Sequence, residues 1–120
     1  MSEDKTVCTF SVSGFRCVIG LGGPSLENFN GYISIPVGHK WHGKPWDELP
    51  CKVHGGITWA DSRLPWEKKD GDEYWIGFDT CHAGDLVPGL SLSNPSCDTF
   101  RDEDYVFAEL TSLAEQAAQA

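Results

Sequence analysis

Two stretches in the middle of the chain carry residue types that could do chemistry: Val53-His54-Gly55-Gly56-Ile57-Thr58-Trp59 and Asp79-Thr80-Cys81-His82-Ala83-Gly84-Asp85. All four histidines and all five tryptophans fall between His39 and His82. Three chemistries compete for these residues. His54, Asp79, His82 and Asp85 are borderline and hard ligands that suit Zn, Mn or Fe, as in a metal-dependent hydrolase. Cys51-x-x-His54 with Cys81-His82 offers a structural zinc set instead, but neither set has a standard spacing, and adjacent ligands on extended chain point apart. The second chemistry is binding of a small, flat, polar ligand without metal or cofactor. Trp41, Trp46 or Trp59 would stack on it, at roughly 1–3 kcal/mol per base. Gly55, Gly56 and Gly84 admit ligand atoms to backbone amides. Asp79 and Asp85 accept from ribose hydroxyls, and His54, His82 or Arg63 meet phosphate oxygens. The third is nucleophilic: a Cys-His dyad needs its partners facing each other, so Cys81 pairs better with His54 across a sheet than with His82 beside it. Each residue also has a plainer role. An Asp at a strand end caps its own loop, and His39-x-x-His42 reads as a solvated or capping pair.

These side chains converge only if particular elements position them. Tyr74 to Asp79 is an apolar, aromatic run too short for a helix and suited to a buried strand. Residues 53–60 read as a second strand, and if the two are antiparallel neighbours, His54 meets Asp79 to Asp85 at one end of the sheet. Asp61 to Glu73, polar and carrying Asp70-Gly71, is then a long hairpin connection. Upstream, Thr6 to Val12 alternates, with Cys8, Phe10 and Val12 on one side. Ser13-Gly14 is a turn signal, and Phe15 to Leu21 completes an opening hairpin. Gly20-Leu21-Gly22-Gly23-Pro24 lacks the Lys-Ser/Thr of a phosphate loop and reads as a turn. Gly31 to Ile35 is a third strand, stopped by Pro36. Val37 to Pro50 shows no period and reads as an ordered loop held by its aromatics.

Leu86 to Cys97, rich in Ser, Pro and Gly, is an irregular crossing. Thr99-Phe100-Arg101-Asp102 resembles a capping box with Asp in place of Glu. It puts Asp102, Glu103 and Asp104 in the first turn of a helix, where they offset its dipole. Val106, Leu110, Leu113, Ala114 and Ala117 give that helix one apolar face. The expected fold is α+β in a single domain, residues 1–120: an antiparallel sheet of about five strands with long loops and one carboxy-terminal helix packed on it.

Composition narrows the partners. A net charge of −9 in 120 residues argues against a phosphate-backbone interface, which needs clustered Lys and Arg. No run of about 18 apolar residues suggests a membrane span. The start, Met-Ser-Glu-Asp-Lys, has no secretory apolar region behind it, so a cytoplasmic setting is expected. The five cysteines are then expected to be reduced, with Cys8 and Cys17 as small core residues.

Taken together, Gly31-Tyr32-Ile33-Ser34-Ile35-Pro36 with Gly38-His39, the His54-Gly55-Gly56 piece, Phe78-Asp79-Thr80-Cys81-His82-Ala83-Gly84-Asp85, and Phe100-Arg101-Asp102 before Tyr105-Val106 with Leu113-Ala114 resemble a family of small phage and prophage proteins. The resemblance spans about residues 30–116. It implies a setting rather than an activity: compact accessory proteins made inside an infected cell. Many such proteins blunt host defence, some by sequestering cyclic or ADP-ribose-type nucleotides. That context favours a nucleotide-derived ligand, and a homo-oligomer would fit it. The alternatives are the metal-dependent hydrolase and an acidic interaction protein that inhibits a host enzyme.

Overall fold

The alternation from Thr6 to Val12 and the apolar run from Phe15 to Leu21 turn directly into structure. In this computed structural model, which describes residues 4–22, 28–81, 85–86 and 99–120, β1 (Thr6–Val12) and β2 (Phe15–Leu21) form a hairpin. Its two-residue turn holds Ser13 at φ 52° and Gly14 at φ 84°, the doubly positive backbone that a type I′ turn needs. β3 (Phe29–Ile35) begins two residues before the expected strand and pairs with β2. β4 (Trp59–Asp61) and β5 (Tyr74–Phe78) complete a five-stranded antiparallel sheet of order β1-β2-β3-β5-β4. A helix, α1 (Glu103–Gln119), packs on it, so the α+β expectation holds.

The sheet separates its residues by parity. Cys17, Ile19, Ile33, Ile35, Ile76 and Phe78 face α1, whose buried side chains are the five expected, Val106, Leu110, Leu113, Ala114 and Ala117. On the opposite face Val18, Tyr32, Leu64 and Trp75 pack with Trp59 and Trp66. The connection after β4 folds back to cover this face, tied by the Gly71 N–H donating to the Ser62 carbonyl at 2.7 Å and the Leu64 N–H to Glu67 Oε1 at 2.7 Å. Gly77 makes room for that aromatic layer. A Cβ there would lie 2.3 Å from Tyr32 Cδ1 and 2.8 Å from the Gly31 carbonyl oxygen of the paired strand. The oxygen is backbone and cannot rotate away, so Gly77→Ala should destabilise the protein by about 1–3 kcal/mol. A lowered urea midpoint at unchanged slope checks this, and a midpoint equal to the parent's would show that the strands can part.

Two expectations need correction. Residues 53–58 are not strand. Glu109 Oε1 accepts from the His54 N–H at 2.7 Å, the Gly56 N–H closes a turn on the Val53 carbonyl at 2.9 Å, and Gln116 brackets the residue before them, accepting from the Lys52 N–H at 2.7 Å and donating to the Lys52 carbonyl at 2.7 Å. With those groups satisfied, pairing with β5 begins only at Thr58, whose N–H donates to the Gly77 carbonyl at 2.9 Å. The helix cap is Asp102, not Thr99, because Thr99 is extended. Asp102 accepts from the Tyr105 N–H at 2.8 Å, leaving Glu103 and Asp104 in the first turn. The expected crossing from Leu86 to Cys97 lies, beyond Leu86, outside the described residues; Asp85–Leu86 (β6) and Thr99–Phe100 (β7) form a short parallel pair.

The segment from Val37 to Pro50 is anchored by its aromatics as expected. Trp41 is buried in the helix-side core. The His39 ring accepts from the Trp41 N–H at Nδ1 (3.0 Å), and its Nε2–H then donates to the Ala117 carbonyl at 2.8 Å, capping the last turn of α1. Among the described residues no helix is long and apolar enough to cross a membrane.

Candidate functional site

The Gly55-Gly56 pair sets the position of His54. The Gly56 N–H donates to the Val53 carbonyl at 2.9 Å, closing a turn in which Gly55 (φ 68°) and Gly56 (φ 83°) take the left-handed backbone that glycine tolerates best. This turn lies against the amino-terminal half of α1. On the other side, pairing of β6 with β7 places Asp85 beside Arg101, two residues past Thr99. The turn, β6 and the start of α1 thus converge on one carboxylate.

Asp85 is the centre of the cluster, its side chain only 1% exposed. Its Oδ1 accepts from Arg101 Nε at 2.9 Å and its Oδ2 from His54 Nε2 at 2.8 Å. A carboxylate paired to a guanidinium only accepts, which assigns a proton to His54 Nε2 and, in the neutral ring, leaves Nδ1 as an acceptor. The Tyr105 hydroxyl donates to that Nδ1 at 2.8 Å, with the two rings edge to face. The Arg101 Cζ sits 4.8 Å from the centre of the Tyr105 ring, a cation–π contact. Its hydrogen bond to Asp85 raises the Arg101 pKa further. Burial, then the Glu109 carboxylate, push the Tyr105 phenol up, partly opposed by Arg101.

His54 meets Asp85, as the sequence led us to expect, with Gly55 and Gly56 in the turn that carries the imidazole, whereas Asp79, Trp59, Arg63, Trp41 and Trp46 take other roles. Asp79 caps its own loop: it accepts from the Cys81 N–H two residues on, at 3.0 Å, and from the Thr58 hydroxyl at 3.0 Å. Trp59 and Arg63 lie on the opposite face, where the guanidinium stacks 5.5 Å from the indole and the Arg63 carbonyl accepts from Trp59 Nε1 at 2.9 Å. Trp41 is core, and Trp46 stands 57% exposed on a short 3-10 turn, Trp46–Glu48. His82 and Gly84 lie outside the described residues.

The other chemistries fare differently. His54 spends its two ring nitrogens on Asp85 and Tyr105, so a metal there would have to displace one of them. Among the described residues no three His, Cys, Asp or Glu side chains are grouped to hold a metal ion. His39 and His42 also part company: His39 caps α1, and His42 packs on the Tyr74 ring at 5.3 Å. The Cys81 thiol is pushed up by burial and by the carboxylates of Asp79 and Asp85, which disfavours a thiolate. Burial alone pushes Cys17 up to about 12, as suits a core thiol.

Sequence reasoning placed Arg101 in a cap and passed over Tyr105 as a site residue. A usable signal was present: Tyr105 and Glu109 are one helical turn apart on α1, a polar stripe bordering the apolar face, with Arg101 a further four residues upstream. No protein-family model, curated protein or solved structure matches this chain.

Proposed function

We propose that this chain is a cytoplasmic accessory protein of the phage type that binds a small nucleotide-derived ligand at the His54–Asp85 end of its sheet, and so withdraws a host signal from use. The supporting observation is Arg101. Its Nε is fixed on Asp85, its Cζ rests over Tyr105, and its side chain is 28% exposed. No other hydrogen bond of this side chain forms among the described residues. A guanidinium held at one edge offers its remaining N–H groups in a fixed fork, the geometry that fits phosphate and carboxylate oxygens.

Arg101 therefore takes the phosphate-facing role that the sequence suggested for Arg63. Aromatic contact would come from Tyr105 and from Phe100, which is 40% exposed, rather than from tryptophan.

Calorimetric titration with cyclic AMP and ADP-ribose tests the reading. One of them should bind, and Arg101→Ala should weaken it about 10- to 100-fold, the equivalent of one charge-assisted hydrogen bond. Binding that is indifferent to Arg101→Ala, or no binding of either probe, would remove the nucleotide reading.

A further inference from the structure

We propose that Tyr105 is a nucleophile, activated by the Asp85–His54 pair, that opens a phosphodiester bond in the bound ligand. The inference rests on the nucleotide-binding reading and supplies a chemistry for that site.

Three groups stand in the order a nucleophilic relay requires: a buried carboxylate, an imidazole oriented by it, and a hydroxyl on the far ring nitrogen. Asp85 Oδ2 to His54 Nε2 is 2.8 Å and His54 Nδ1 to the Tyr105 oxygen is 2.8 Å, both within proton-transfer reach. The chain of donors runs one way. Asp85 fixes the Nε2–H tautomer, so the free pair on Nδ1 faces the phenol proton. Glu109 locks the turn that carries the ring, through the His54 N–H at 2.7 Å. Tyr105 itself is only partly buried. Its raised pKa keeps the phenol protonated, which is why the neighbouring base matters.

In the step, the Tyr105 oxygen bonds to phosphorus as its proton passes to His54 Nδ1. The bond from phosphorus to the leaving alkoxide breaks, and His54 returns the proton to that alkoxide. The product is a phosphodiester on Tyr105 and a free hydroxyl; no electrons change hands. Asp85 stabilises the transient imidazolium without itself taking the proton. Arg101 stands over the same ring, placed to meet the phosphoryl oxygens.

Charge selects the ligand class. Glu103, Asp104 and Glu109 on α1 share this end of the molecule with Arg101 and the buried Asp85. A singly charged diester, such as a cyclic nucleotide, meets less repulsion there than a polyphosphate.

Bis(p-nitrophenyl) phosphate is the probe, because p-nitrophenolate leaves without a proton and so isolates the attack. A burst of p-nitrophenolate should accompany a p-nitrophenylphosphoryl adduct on the intact protein, mapped by peptide mass spectrometry to Tyr105. Tyr105→Phe should abolish both, and His54→Gln should slow the burst about 10²- to 10⁴-fold. Adduct mapping on the unaltered protein decides the matter even if a variant folds poorly. An adduct on another residue, or no release by the folded protein, overturns the proposal. Should cyclic AMP or ADP-ribose bind through Arg101 with no labelling of Tyr105, the nucleophile falls and the binding reading stands. Labelling of Tyr105 without nucleotide binding has the reverse meaning.

Discussion

Asp85→Ala should destabilise the protein by about 3–5 kcal/mol, the range for removing one partner from a buried ion pair. The carboxylate is 1% exposed and is shared by two donors from different parts of the chain, so its loss strands both. Arg101, 28% exposed, can turn partly to water, whereas His54, 13% exposed, has less freedom to do so. Urea unfolding measures the loss, and a change under about 1 kcal/mol would show that neighbouring groups take up the stranded donors. Asp85→Asn separates stability from chemistry. The amide oxygen can still accept from Arg101, and its NH₂ can donate to His54 Nε2, provided the ring moves its proton to Nδ1. Tyr105 would then accept from His54 instead of donating to it. The variant should stay folded with the tautomer inverted, which nitrogen-15 NMR of the imidazole reads directly. An unchanged Nε2–H tautomer would contradict the proposed direction of the chain of donors.

Phe78→Ala should cost about 3–5 kcal/mol, since the ring is fully buried between the sheet and α1 and leaves a cavity the surroundings can only partly close. The site of that cavity is known. A Cβ on Gly31 would lie 2.7 Å from Phe78 Cε1, 2.8 Å from Cζ and 3.0 Å from Leu110 Cγ. Gly31→Ala alone is therefore overpacked by the ring that Phe78→Ala removes. Their effects should not add, the double variant being more stable than the sum of the singles by about 0.5–3 kcal/mol. Strict additivity in a double-mutant cycle would mean that the strand pair, not the ring, sets the limit at Gly31.

The elements most legible in the sequence were those made by side-chain period. β1 and β2 have the bounds that the alternation of the first and the apolar run of the second suggest, and α1 buries the five residues its spacing picks out. Less legible were features decided by backbone satisfaction. Nothing in Lys52 to His54 announces that Gln116 will bracket Lys52 and that Glu109 will take the His54 N–H in place of a neighbouring strand. Nor does the Ser, Pro and Gly-rich stretch before Thr99 announce a parallel partner for Asp85, because two residues are too few to show a period. At the site, the meeting of His54 with Asp85 follows from the sequence only on the premise of a strand over residues 53–60, whereas the structure achieves it through the turn after Val53 and the side chains of α1. Trp59 and Arg63 were misleading for a reason of parity: Trp59 pairs across β5 with Gly77, which also faces Tyr32, so it belongs to the side away from α1.

The two borders of the sheet also bear on how the chain behaves in a crowd of its own copies. An open strand edge is a template on which like chains can stack into fibrils. Here one border, β1, shifts register between Thr6 and Cys8, and the other, β4, is three residues long. A bulge twists an edge away from a flat partner, and three residues offer too few bonds to hold one. Self-templated growth is discouraged at both ends, so any pairing of copies would rest on side chains rather than on a continued sheet.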